Sequence, residues 1–196
     1  MTFEEYNIFV EKVGAVHHQA MVKKGFWEKP DLIDKEILII SELIEAVEAL
    51  RAVPKKFPSI VNFEERLATL NSSINTGYVP TEEQAKVAEK HFMYCFEKYI
   101  KDTFHDELAG TFLRLVDTLE GYKNIISPSP LYECSAPEKF SFFCKRMCVF
   151  VLDQNLTAAL SLLYAYCQEN NIDLEKYVQL AMLYNSFRPY KHGKNF

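Results

Sequence analysis

Glu42, Glu45 and Glu48 recur at intervals of three in an apolar run from Ile37 to Leu50 that contains neither Gly nor Pro. On a helix this spacing puts Glu42 and Glu45 on one face, one turn apart, and Glu48 extends the row. A second acidic stretch, Asp106-Glu107-Leu108-Ala109-Gly110, falls in another helical run. Two helices that bring carboxylates to a shared interior can hold a hard divalent cation. Mg²⁺ takes oxygen ligands and keeps waters that phosphate oxygens can replace. The plainer reading is a solvated helix face, because Glu is a good helix former and is commonly exposed.

Groups suited to phosphate cluster near the end of the chain, where Arg188, Lys191, His192 and Lys194 surround Pro189 and Gly193. They form either a solvated basic tail or a phosphate clamp. A basic and aromatic corner runs from Lys23 and Lys24 through Gly25 and Phe26 to Trp27, the only tryptophan. Trp27 is either a core anchor or a wall against a flat base. His17 and His18 are neighbours, point to different faces, and read as structural. The five cysteines have no paired framework; Cys144 and Cys148 share a helix face without further ligands nearby, so buried free thiols in a reducing cytoplasm are expected.

The elements that must position these groups read as helices throughout. Thr2 caps a first helix that ends at Gly25, and Asp34 caps a second, from about 35 to 52, that carries the glutamates. A short helix over 63–70 and loop signals at Asn71-Ser72-Ser73 and Asn75-Thr76-Gly77 follow. Thr81 with Gln84 fits a capping box. The helix it starts is too long to be continuous to 118, so a break is expected near 101–103. Asp106 is turned about 100° from Glu107 and so faces away from it, and Asp117 lies too far along to share a small site. After a Ser- and Pro-rich loop from Gly121 to Pro137, a block over 138–170 splits at Asp153-Gln154-Asn155. Asp173 caps the last helix.

With 196 residues, 48% hydrophobic and 25% charged, the chain suits a single all-α domain. Its net charge of −5 argues against a nucleic-acid polymer as partner. No leader-like start and no apolar stretch of membrane-spanning length is present, so a cytoplasmic protein with no membrane partner is expected.

Lys24-Gly25-Phe26-Trp27, Ser41-Glu42-Leu43-Ile44-Glu45-Ala46, Asp106-Glu107-Leu108-Ala109, Ile172-Asp173-Leu174-Glu175 and the run from Tyr184-Asn185 to Lys194 occur in that order. In this set the chain resembles the MazG-like all-α nucleoside triphosphate pyrophosphohydrolases. The resemblance implies a helical bundle with an inserted helical hairpin, at about 123–170. It implies cleavage of a nucleoside triphosphate between the α and β phosphates, giving a monophosphate and pyrophosphate. Mg²⁺, or Mn²⁺, would be held by Glu42, Glu45 and Glu107, with Glu42 and Glu45 counted as catalytic. Lys24 and Trp27 would lie near the substrate mouth, and Asn185, Arg188 and Lys191 would hold phosphate or sugar oxygens. Assembly into a homo-oligomer, a dimer or larger, is implied as well. Gly110 stands where the family carries a metal-binding Asp, and Ala181 and Leu183 stand where relatives commonly carry Lys. The alternative is therefore a weakened or inactive relative serving as a nucleotide-binding or protein-interaction module.

Overall fold

The computed structural model describes residues 1–72, 81–126 and 129–189. The expected all-α architecture is observed, with eight helices and no strand among the described residues. They are α1 (Phe3–Lys23), α2 (Leu32–Arg51), α3 (Ile60–Asn71), α4 (Glu82–Tyr99), α5 (Phe104–Gly121), α6 (Phe140–Leu152), α7 (Leu156–Glu169) and α8 (Leu174–Phe187).

Local chemistry explains most of the boundaries. The Thr2 hydroxyl accepts from the Glu5 N–H at 3.2 Å, and the Glu5 carboxylate accepts from the Thr2 N–H. At the other end of α1, Gly25 adopts φ 82°, which lets the Phe26 N–H reach the Met21 carbonyl and the Gly25 N–H reach that of Val22. A side chain here would be strained, so Gly25 closes the helix and turns the chain toward Trp27. The second helix starts earlier than the sequence suggests. Asp31, and not Asp34, caps it, accepting from the Ile33 N–H at 2.8 Å, while Asp34 sits in the first turn. Either Asp satisfies the spacing rule, so the sequence pattern could not choose between them. Helix α3 likewise extends beyond 63–70. The loop signals at Ser73 and over 75–77 lie outside the described residues.

The expected break between the fourth and fifth helices falls at Lys101-Asp102-Thr103. Asp102 takes φ 58°, a conformation that Asp tolerates better than most residues, and its N–H donates to Asp106 Oδ2 at 3.1 Å. The joint between α6 and α7 falls at the expected Asp153-Gln154-Asn155, and Asp173 caps α8 by accepting from the Lys176 N–H.

Helix α5 is the hub. It packs against α1, α2, α7 and α8, and Leu108, Phe112, Leu115 and Val116 are buried on several sides of it. A helix surrounded by neighbours needs apolar residues nearly all round. Its buried hydroxyls turn inward, Thr111 donating to the Glu107 carbonyl and Thr118 to that of Arg114. Helix α7 is apolar all round in the same way, and the Leu160 carbonyl accepts from the Tyr6 hydroxyl at 2.9 Å, tying α7 to α1. Helices α3 and α4 pair beside this core. The capping box at α4 is complete, with Thr81 and Gln84 exchanging both bonds. Thr81→Ala is expected to cost about 1 kcal/mol, read as a lower denaturant midpoint at unchanged slope.

Candidate functional site

Helices α1, α2, α5 and α8, with the α4–α5 joint, enclose a polar cavity of about 400 Å³. Each helix contributes residues at helical spacing: His17 and Met21 from α1; Leu38, Ser41, Glu42 and Glu45 from α2; Asp106, Glu107, Gly110, Leu113 and Arg114 from α5; Ala181, Tyr184 and Asn185 from α8, followed by Arg188. Phe96, Lys101 and Asp102 complete the lining. A spacing of three, four or seven residues is what one face of a helix allows, so four helices turn one polar face each toward a common space.

Carboxylate oxygens of Glu42, Glu45 and Glu107 lie within 4.8 Å of one another. Glu107 is 5% exposed, and no hydrogen bond or ion pair reaches its carboxylate from the described residues. Burial, and then the nearby Asp106, Glu42 and Glu45 carboxylates, push its pKa from 4.5 up to about 9. Burial also pushes Asp106 up to about 7, against the lowering effect of the Asp102 N–H. A buried carboxylate facing other carboxylates requires a proton or a cation. The oxygen-only donor set on two rigid helices suits Mg²⁺ or Mn²⁺.

Glu42 is held from two sides. Arg114 Nε donates to its Oε1 at 3.1 Å. Its Oε2 lies over Gly110, where a Cβ would be only 2.3 Å away. Arg188 borders the cavity with its guanidinium 5.7 Å from the Tyr184 ring centre, and it donates to Asn185 Oδ1 at 3.4 Å. Tyr184 is fixed by stacking on Phe96 and by donating to Glu97 Oε1 at 2.9 Å. Lys101 is paired with Asp102 at 2.6 Å. Buried His17 has its pKa lowered to about 4 by burial, so it presents a neutral ring to the cavity.

The structure therefore brings together Glu42, Glu45, Glu107, Asn185 and Arg188 from among the expected residues. Glu48 stands outside the trio, in an open groove with Ile44, Arg51 and Lys56 that Glu45 and Glu107 also border. Lys24 is not among the lining residues. Its ammonium donates to the Ser186 carbonyl at 3.4 Å and to the Arg188 carbonyl, which ties the end of α1 to the cavity's lip. Trp27 does not line the cavity either. It donates to Asp117 at 2.9 Å, packs edge-on against His18, and lies under the Lys35 ammonium, 4.1 Å from the ring centre. Lys191 lies outside the described residues. Asp106, expected to face away, also borders the cavity. It sits in the first turn of α5, where the chain bends back at Asp102 and opens the mouth on that side. Ala181 lines the cavity, and Leu183 is exposed.

Sequence reading did not find His17, Arg114 or Tyr184. Arg114 carried a usable signal, standing seven residues after Glu107 and four after Gly110 on the same helix face. Tyr184 opens the run that carries the resemblance but was given no role there, and His17 carried no signal, because burial beside a cavity and burial in a core look alike in sequence.

Fold and site define an all-helical protein with a polar cavity around three converging carboxylates. Compared with family models, with curated proteins and with solved structures, the chain matches none.

Proposed function

We propose that this chain is a divalent-cation-dependent nucleoside triphosphate pyrophosphohydrolase of the MazG-like class. One observation carries the reading: carboxylates from two helices converge in a cavity, and the most buried of them, Glu107, has no cationic or hydrogen-bonding partner among the described residues. The residues that would hold Mg²⁺ or Mn²⁺ are Glu42, Glu45 and Glu107. When bound, such an ion supplies neutralisation of phosphate charge and lowers the pKa of a coordinated water.

The remaining roles fall to side chains of the chain itself. Arg188 presents its guanidinium at the lip, where it can accept the charge of a phosphate through paired N–H donors. Asn185 holds Arg188 in place. Tyr184 and Phe96 form a stacked apolar wall that excludes water from one side of the cavity. The volume suits a small ligand, and the mixture of acids with Lys101, Arg114 and Arg188 suits one that is anionic at one end. In this reading α6 and α7 make up the insertion, and Ile33, Ile37 and Ile44, exposed along α2 with Ile40 between them, support assembly into a homo-oligomer.

The test is pyrophosphate release from a panel of ribo- and deoxyribonucleoside triphosphates with Mg²⁺ or Mn²⁺. Turnover that EDTA abolishes is expected. Failure of the whole panel, with folding verified, overturns the enzymatic reading. Gly110, which offers no ligand, favours a second reading in that event: nucleotide binding without hydrolysis, read as nucleotide-dependent thermal stabilisation.

A further inference from the structure

We infer that Gly110 and Arg114 are positioning residues that set the orientation of Glu42 as the third carboxylate of the centre, so that the bare backbone at 110 is a working part of the site. This rests on the metal-centre reading above.

The geometry is specific. Helix α5 presents Glu107, Gly110 and Arg114 on one face, at offsets of three and seven, directly opposite Glu42 on α2. The Glu42 carboxylate is clasped over that face. Its Oε1 takes the Arg114 Nε–H at 3.1 Å, and its Oε2 occupies the space a side chain at 110 would need. An added Cβ would lie 2.3 Å from Oε2 and 3.0 Å from Cδ, both well inside contact distance, while Glu42 Cγ at 3.7 Å would be in ordinary contact. Only the end of the side chain conflicts. Glu42 can swing away at little cost to the fold, but its carboxylate cannot stay where it is.

Gly in the interior of a helix costs about 1 kcal/mol relative to Ala. Gly110 is half-buried in the middle of α5 with a helical backbone, and neither a turn nor a positive φ calls for it. The close approach of Glu42 is what the position accommodates. Arg114 supplies the matching restraint, since a charge-assisted bond to one oxygen fixes the plane of the carboxylate. Glu107, buried and with no hydrogen-bond or ion-pair partner for its carboxylate among the described residues, lies within reach of the oriented Glu42.

Binding of Mn²⁺ alone, followed by titration calorimetry on the full chain, tests the assignment. Gly110→Ala is expected to weaken Mn²⁺ binding at least tenfold while the melting temperature stays level or rises, because Ala improves the helix. Arg114→Gln is expected to weaken Mn²⁺ binding as well, although it removes a positive charge from beside the centre. If Arg114 acted only by screening, its loss would tighten binding. Mn²⁺ affinity within twofold of the natural protein in Gly110→Ala, or unchanged or tighter binding in Arg114→Gln, overturns the inference and leaves the metal centre standing. Absence of Mn²⁺ binding by the natural protein removes the centre and this inference with it. A Gly110→Ala chain that fails to fold would also overturn it, because the contact would then be structural.

Discussion

If the chain is the pyrophosphohydrolase proposed above, Glu107→Gln is expected to lower pyrophosphate release about a thousandfold, roughly 4 kcal/mol of transition-state stabilisation, and at the same time to raise the melting temperature of the metal-free protein. The two effects have one cause. Glu107 is buried against Asp106, Glu42 and Glu45, so its charge is costly until a cation arrives. Gln keeps the shape and removes the charge. The pH dependence follows from the direction of the shifts. Glu107 moves from 4.5 to about 9 and Asp106 from 3.8 to about 7 on folding. The folded chain therefore binds protons more tightly than the unfolded chain. That contribution is complete below about pH 4 and is lost as pH rises through about 7 and then 9. In EDTA, the melting temperature should fall across this range in the natural protein and fall less steeply in Glu107→Gln. Added Mg²⁺ should restore the natural protein at the alkaline end by binding the folded state. Calorimetric scans at several pH values check this. A steep pH dependence retained in the variant, together with undiminished turnover, would sink it.

Asp117→Ala is expected to destabilise the protein by about 3–5 kcal/mol, the largest effect on stability anticipated outside the apolar core. Asp117 is 3% exposed. It accepts from Trp27 Nε1 at 2.9 and 3.2 Å, is paired with His18 Nδ1 at 2.8 Å, and faces Lys35 Nζ at 3.7 Å. Burial lowers the pKa of Lys35, while Asp117 works in the opposite direction. Removing the carboxylate leaves the buried ammonium without its nearest counter-charge and the indole N–H without its acceptor, both expensive in a dry environment. Asp117→Asn keeps an acceptor for Trp27 and should cost less. Trp27 is the only tryptophan, so its emission reports the site directly, and a denaturant titration gives the stability. A loss below about 1 kcal/mol would show that the cluster is not a support for the fold.

The helices were legible because their ends are written in local chemistry. The Thr81 and Gln84 pair, the Asp173 cap and the joint at Asp153-Gln154-Asn155 all act over a few residues. Asp31 and Asp34 mark the limit of that legibility, since two equivalent caps one turn apart cannot be ranked without the tertiary contacts of Leu32. The acidic trio was legible for the same reason: Glu42 and Glu45 share a face by spacing, and Glu107 lies in a strongly patterned helix. Long-range pairings were not. Nothing near Trp27 points to Asp117, which is 90 positions away, and nothing near Glu42 points to Arg114, 72 positions away. Asp106, turned about 100° from Glu107 by ideal helix geometry, stays outside the carboxylate trio as expected, yet it borders the cavity because the cavity opens at the first turn of α5, where more than one face is accessible.

The order in which the cavity walls appear along the chain has a consequence for synthesis. Helices α1 and α2 emerge first and α5 follows, and these three already hold the whole acidic trio together with Gly110 and Arg114. The Tyr184 wall and the Arg188 lip are made only after α6 and α7 have emerged, and the Lys24 ammonium then bridges to the carbonyls that end α8. In chain order, the residues of the acidic half of the cavity are thus all made before those of its α8 wall. In the proposed reading, a divalent cation can meet that half-site before Arg188, the last basic residue of the described lining, has been translated.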